Sequence, residues 1–224
     1  MRIQSAFGLT ALAMLLACPA LPCAAQESPQ ASVARAAEEA QRSLQALRQL
    51  TTPETFKGLG FQSPDEVLEA QLDSPLPVFM VPLNRLKEYQ PGADPNSLLD
   101  DTRHLIYPVT VKGQLRSGLT LRELNGEWQV ASFGKPTLTR ALIEARTAQM
   151  TESKSPAQAF FAVEIPALHD YFIARRSEGN LFLTPAITDP AHNLTAARTL
   201  DARQVFATLA LAARELRTGP FISD

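Results

Sequence analysis

Residues 115–124, LRSGLTLREL, residues 125–126, NG, and residues 127–133, EWQVASF, read as two strands joined by a two-residue turn. Asn-Gly is the strongest short hairpin signal a sequence carries, because both turn residues adopt the left-handed backbone at little cost. Leu119 and Leu121, with Trp128 and Val130 across the turn, alternate with polar residues, so one face of the hairpin is expected to be buried. Working outward, Lys112-Gly113 turns the chain from a β-rich segment at Arg103–Val111, and an apolar run at Pro77–Val81 reads as a further strand. Between those two, Leu83–Tyr89 fits a short helix, and Gln90–Asp101, with Pro91, Gly92, Pro95 and Asn96, fits a loop.

Beyond the hairpin, Leu138–Met150 reads as a helix, and the polar stretch Thr151–Pro156 is the best internal boundary. Ala159–Ile165 follows as a strand, Pro166–Phe172 as a short helix, Asn180–Ile187 as a strand and Leu200–Leu216 as a closing helix. The closing helix carries a stripe of Val205, Leu209, Ala212 and Leu216 and a stop at Gly219-Pro220. Ser177-Glu178-Gly179-Asn180 reads as a turn just after the arginine pair Arg175-Arg176. The expected class is α+β: a mixed or antiparallel sheet with flanking helices.

The segment ahead of this sheet is helical. Val33, Ala37, Ala40, Leu44 and Leu47 recur at helical spacing within Ala31–Leu50, with Ser28-Pro29 at the start, Thr51-Thr52-Pro53 at the end and Glu38/Arg42 as an outer pair. This Ala-rich stripe suits docking on the domain, pairing with a partner helix, or a stalk. Ser63-Pro64-Asp65-Glu66 has the form of a capping box, with Val67, Leu68 and Leu72 as the buried face of the helix it opens and Asp73-Ser74-Pro75 as its stop. Two echoes link the halves of the chain. Val81-Pro82-Leu83 with Leu86 and Tyr89 resembles Ile165-Pro166-Ala167 with Leu168 and Tyr171, and Leu105–Val109 resembles Phe182–Ala186. They predict two pseudo-symmetric strand-helix-strand halves, although with 17 prolines in the chain an apolar run followed by Pro is common.

The amino terminus gives an address. Arg2, an apolar run from Phe7 to Ala17 and a small-residue segment broken by Pro19 and Pro22 form a secretory signal peptide, too short to span a bilayer. Cleavage after Ala25 gives a periplasmic or secreted protein beginning at Gln26. The alternative is a lipobox, Leu15-Leu16-Ala17-Cys18, with Cys18 as a lipid anchor. The expected organisation is a signal peptide over 1–25, a helix over 26–52 and one α+β domain over 53–224, with halves at 53–150 and 151–224. The only cysteines are Cys18 and Cys23, so cleavage after Ala25 leaves no disulfide, thiol nucleophile or cysteine-bound metal. About two hundred residues, drawn from a chain that is 45% hydrophobic, are enough for a core without such staples. Removing Arg2 leaves 20 basic and 23 acidic residues, a net charge of −3, with no basic cluster to release phosphate counterions; nucleic acid is excluded as a partner.

No motif for a catalytic centre, cofactor or metal stands out. The histidines, His104, His169 and His192, lack any helical zinc spacing. If the protein is an enzyme, His169, Asp170 and Arg175 are the first substitutions, although neighbours at i and i+1 point to different sides of a helix. Asp94, Asn96, Asp100 and Asp101 offer oxygens at short spacing, but Leu98 and Leu99 stand where a calcium loop needs a ligand and a glycine, so capping is expected there. There is no nucleophile elbow, P-loop or dinucleotide fingerprint. The expectation is an exported, non-enzymatic envelope protein that binds a protein partner or assembles in the periplasm. The alternatives are a periplasmic hydrolase with a cleft between the halves and an inhibitor of a secreted enzyme or toxin.

Overall fold

Among the described residues, nine strands form one mixed sheet, ordered β5-β4-β3-β2-β6-β7-β8-β9, with the two-residue β1 paired to β3 off this path. The computed structural model describes residues 29–216. The signal segment, both cysteines, Ser28 and the Gly219-Pro220 stop lie outside the described residues. The strands are β1 (Gln71–Leu72), β2 (Leu76–Met80), β3 (Asp100–Val111), β4 (Gln114–Leu124), β5 (Glu127–Phe133), β6 (Phe160–Ile165), β7 (Asp170–Ser177), β8 (Asn180–Pro185) and β9 (Leu200–Asp201). The helices are α1 (Pro29–Leu50), α2 (Phe56–Leu59), α3 (Leu83–Glu88), α4 (Pro136–Ser153) and α5 (Ala202–Glu215). The α+β class is therefore what the chain adopts.

Three layers result. On one sheet face, α1 packs over β4 and β5, burying Ala40, Leu44 and Leu47 against Tyr107, Val109, Leu119 and Leu121, while α3 and α5 cover β6 to β9. On the other face, α4 buries Leu142 and Ala145 against Leu76, Val78, Phe160, Ala162 and Ile173. The Asn125-Gly126 hairpin forms as expected, with φ of 52° and 81°, and Trp128 and Val130 pack under α1. A register shift between Thr120 and Leu121 leaves Ala131 without a partner residue on β4. This bulge moves the inward position from Val130 to Phe133.

β2 and β6 are parallel and lie side by side at the centre of the sheet, and every other pairing is antiparallel. Outward from that seam, each half runs strand, Pro-started helical turn, three more strands, then a helix. The first sequence echo matches this layout. The second does not: Leu105–Val109 lies on β3, the second strand of its half, whereas Phe182–Ala186 lies on and just after β8, the third of its own.

Several local expectations are corrected. Pro166–Phe172 is not a helix. A 3-10 turn ends at Leu168, His169 takes φ 57°, and β7 begins at Asp170. β7 is buried on both faces over Phe172–Ala174, which erases the alternation that marks a strand. The Ser63 side chain makes no cap bond. The turn it opens is 3-10, and Glu66 instead accepts from the Gln62 amide (2.6 Å) and from Arg116 Nε (2.5 Å). Burial works against ionisation of Glu66, but these bonds and the Arg116 charge hold its pKa below the ordinary value. Val67 is buried there, while Leu68 is 65% exposed. The buried face of α1 includes Ala36 and Ser43, with Val33 59% exposed and Ala37 exposed, and Arg42 pairs with Glu39 at 2.8 Å, not with Glu38. α4 extends through Thr151–Ser153, into the stretch expected to break it. In α5, Phe206, Ala210 and Ala213 join Val205 and Leu209 inside, and Leu216 is exposed.

Candidate functional site

The chain order makes β5 the long free edge of the sheet. The other edge is the two-residue β9. Among the described residues, the backbone groups of β5 that face away from β4 have no hydrogen-bond partner. Such an edge is a template for another strand, and natural proteins usually blunt it with Lys, Pro or a covering segment. β5 carries neither Lys nor Pro, and Glu127, Gln129 and Ala131 are exposed along it.

Grooves flank this edge on both faces. On the α1 side, a groove of about 370 Å³ runs between Arg35, Glu38, Glu39 and Arg42 of the helix and Gly126, Glu127 and Trp128 of the hairpin. Trp128 Nε1 donates to Ser32 Oγ at 3.2 Å, which fixes the indole beneath the amino-terminal end of α1. On the opposite face, a cleft of about 290 Å³ reaches from Ala131 and Ser132 on β5, past Thr120 on β4 and His104 on β3, to Val78 on β2 and Glu164 on β6. Lys135, Leu138 and Thr139, at the start of α4, form its wall. That start packs closely on β4 because residue 118 is glycine: a Cβ there would lie 2.5 Å from Thr139 Oγ1 and 2.9 Å from the Gly134 carbonyl oxygen.

The polar side chains in the cleft are not spent on one another. Among the described residues, the His104 ring, the Lys135 ammonium, the Glu164 carboxylate and the Ser132 hydroxyl make no hydrogen bond or ion pair, and neither does Arg122, which shares His104's face through their cross-strand register. Burial, then the Arg122 charge, hold His104 below the ordinary imidazole value, with Asp101 opposing. Burial holds the Glu164 carboxyl above its ordinary value, with Lys135 opposing. Among the described residues the His104 ring has no hydroxyl partner, Thr102 Oγ1 accepting only from the His104 backbone N–H (3.2 Å), so the cleft shows no nucleophile already paired with its base.

The sequence-selected trio is not brought together. Asp170 begins β7 on the α5 face, in register with Ile165. Arg175 lies on the opposite face, in register with Phe160 and with its guanidinium 5.0 Å from the Phe182 ring centroid. Five residues of strand separate the two by about 16 Å. His169 is exposed. The structure instead gathers Asp170 with Asp189 and His192, whose possible ligand atoms lie within 4.8 Å of one another. The local signal for that group is Asp189-Pro190-Ala191-His192, in which Asp189 caps a 3-10 turn by accepting from the Ala191 amide and places His192 one turn on. Asp94 caps the 3-10 turn Pro95–Leu98 by accepting from the Asn96 amide, as expected, whereas Asp100 and Asp101 lie on β3, Asp100 pairing with Arg85 at 2.6 Å and Asp101 accepting from the Arg103 amide. Arg176 is exposed beside the turn, as expected, with its guanidinium 4.5 Å from the Phe161 ring centroid and 5.6 Å from that of Phe79 and its Nε donating to Asn96 Oδ1. Among the described residues no helix is long and apolar enough to cross a membrane. No protein-family model, curated protein or solved structure matches the chain.

Proposed function

We propose that this is an exported protein of the bacterial envelope that binds an extended, acidic segment of a partner polypeptide along β5. The observation that carries the reading is the free β5 edge with a groove on each face. Strand addition supplies main-chain hydrogen bonds for affinity, and alternate side chains of the guest fall into the two grooves for specificity. On the cleft side, Arg122 and Lys135 without ion-pair partners favour acidic guest residues, while Ser132 and Thr120 offer hydroxyls. Export rests on the Arg2, Phe7–Ala17 and Ala25 pattern. An inhibitor of a secreted enzyme or toxin would use the same edge, with that enzyme as the guest.

A photo-crosslinking residue in place of Gln129, exposed on β5, tests this in the native envelope. A covalent adduct with one polypeptide is expected, lost in the Ala131→Pro background and weakened by Arg122→Glu with Lys135→Glu. Ala131 is the bulge residue, with no register partner on β4, and bulges on edge strands are where proline is tolerated, so its ring is expected to obstruct a guest strand at the least cost to the β4–β5 ladder. An adduct formed equally by the same label at Leu211 on α5, or one indifferent to Ala131→Pro, sinks the reading. Hydrolysis in the cleft is the second reading, favoured by the opposite pKa displacements of His104 and Glu164. It requires turnover of an ester or peptide panel that His104→Gln abolishes.

A further inference from the structure

We propose that Asp170, Asp189 and His192 form a binding site for a borderline divalent cation of the Zn²⁺ class, at the opposite end of the sheet from β5. Asp189 Oδ2 lies 2.5 Å and Asp170 Oδ2 3.5 Å from His192 Nδ1, so one nitrogen and two carboxylate oxygens converge. An acidic cluster by itself says little, because exposed carboxylates gather without an ion. Asp170 is different: it is 6% exposed, and its Oδ2 has no hydrogen-bond partner although it is aimed at the imidazole. A carboxylate oxygen buried without a partner is costly, and a cation at the focus of the three groups satisfies it.

The positions are held from two directions. Asp170 is fixed by the ladder pairing of β7 with Ile165. Asp189 is fixed by its cap on the Ala191 amide and by paired backbone hydrogen bonds with Leu194, both 2.9 Å, which close the loop around His192. Donor atoms around Zn²⁺ sit about 3.3 Å apart when bound at about 2.0–2.1 Å. The Asp170–His192 spacing already matches, and the Asp189–His192 contact opens by roughly 0.8 Å on admitting the ion. His192 then binds through Nδ1 and carries its proton on Nε2. The imidazole selects the Zn²⁺ class over Mg²⁺. With three protein ligands, the fourth position is open to water, and a recess of about 180 Å³ beside His192, between Leu194 and Gln204, gives it room.

The test strips the exported, full-length mature protein with a chelator and titrates Zn²⁺ against a chromophoric competitor, with thermal melts alongside. One Zn²⁺ per chain is expected, with at least tenfold weaker binding in Asp189→Asn and in His192→Gln, and a melting point raised by Zn²⁺ in the wild type but not in these two variants. His169→Gln, a change at an exposed neighbour outside the set, is expected to bind as the wild type does. Unchanged circular dichroism separates loss of a ligand from loss of fold, and the two single variants report independently. Zn²⁺ binding that survives both substitutions, wild-type binding no tighter than that of the double variant, or Mg²⁺ binding of equal strength overturns the site.

Discussion

Glu164 sits where a carboxyl group titrates against the fold. Burial on the sheet face holds its pKa above the 4.5 of an ordinary glutamate, so the unfolded chain ionises first as pH rises. The side chain's contribution is therefore intact below about pH 4.5 and is lost as pH climbs through the folded value. Glu164→Gln removes that loss. Urea denaturation is expected to show the variant and wild type alike near pH 4 and the variant more stable at pH 7, with the gap opening between the two. His104 runs the other way: its lowered pKa means that the unfolded chain takes up the proton first, so its contribution grows as pH rises towards 6.5. A gap in the Glu164→Gln comparison that opened towards low pH would show that the carboxylate is stabilised in the fold.

Among the elements, α4 depends on Gly118 for its starting point. Alanine there places a methyl group into Thr139 Oγ1 and the Gly134 carbonyl, and the residues that must yield are the first turn of α4 and the bend before it. Gly118→Ala is expected to cost about 1–3 kcal/mol in chemical denaturation and to disturb the cleft that this turn walls. An unchanged midpoint would mean that α4 shifts freely on the sheet. On the other face, Leu47→Ala in α1 leaves a void over the β3–β4 face and is expected to cost about 2–5 kcal/mol. The elements legible in the sequence are those with local signals: the Asn125-Gly126 hairpin, whose strands alternate, and α1, whose period is clear. The phase of α1 was less legible, because alanine on several sides gives little contrast between Ala36 inside and Ala37 outside. β7 was hidden by burial on both faces. The β5 edge, and the meeting of Asp170 with the locally encoded Asp189–His192 turn, depend on which strands become neighbours, and no local pattern encodes that.

At the scale of the whole molecule, the amino terminus sets how the free edge is presented. α1 lies along β4 and β5, and its first turns sit by the hairpin, where Ser32 accepts from Trp128. On the proposed reading, cleavage after Ala25 would place only Gln26, Glu27 and Ser28 before α1, and β5 would then meet its partner in solution. Lipidation at Cys18 would instead leave a short tether from residue 18 to Pro29, too short to carry the hairpin end far from the bilayer, and the strand edge would be offered to partners at the membrane surface. Proline after Cys18 and the small side chains at Cys23 and Ala25 favour the first course. Intact-mass analysis of the exported protein is expected to give Gln26 as the first residue with no added lipid, and detergent-phase partitioning is expected to leave the protein in the aqueous phase. A lipid-bearing Cys18 would move the search for the β5 partner from soluble periplasmic proteins to those held at the same membrane.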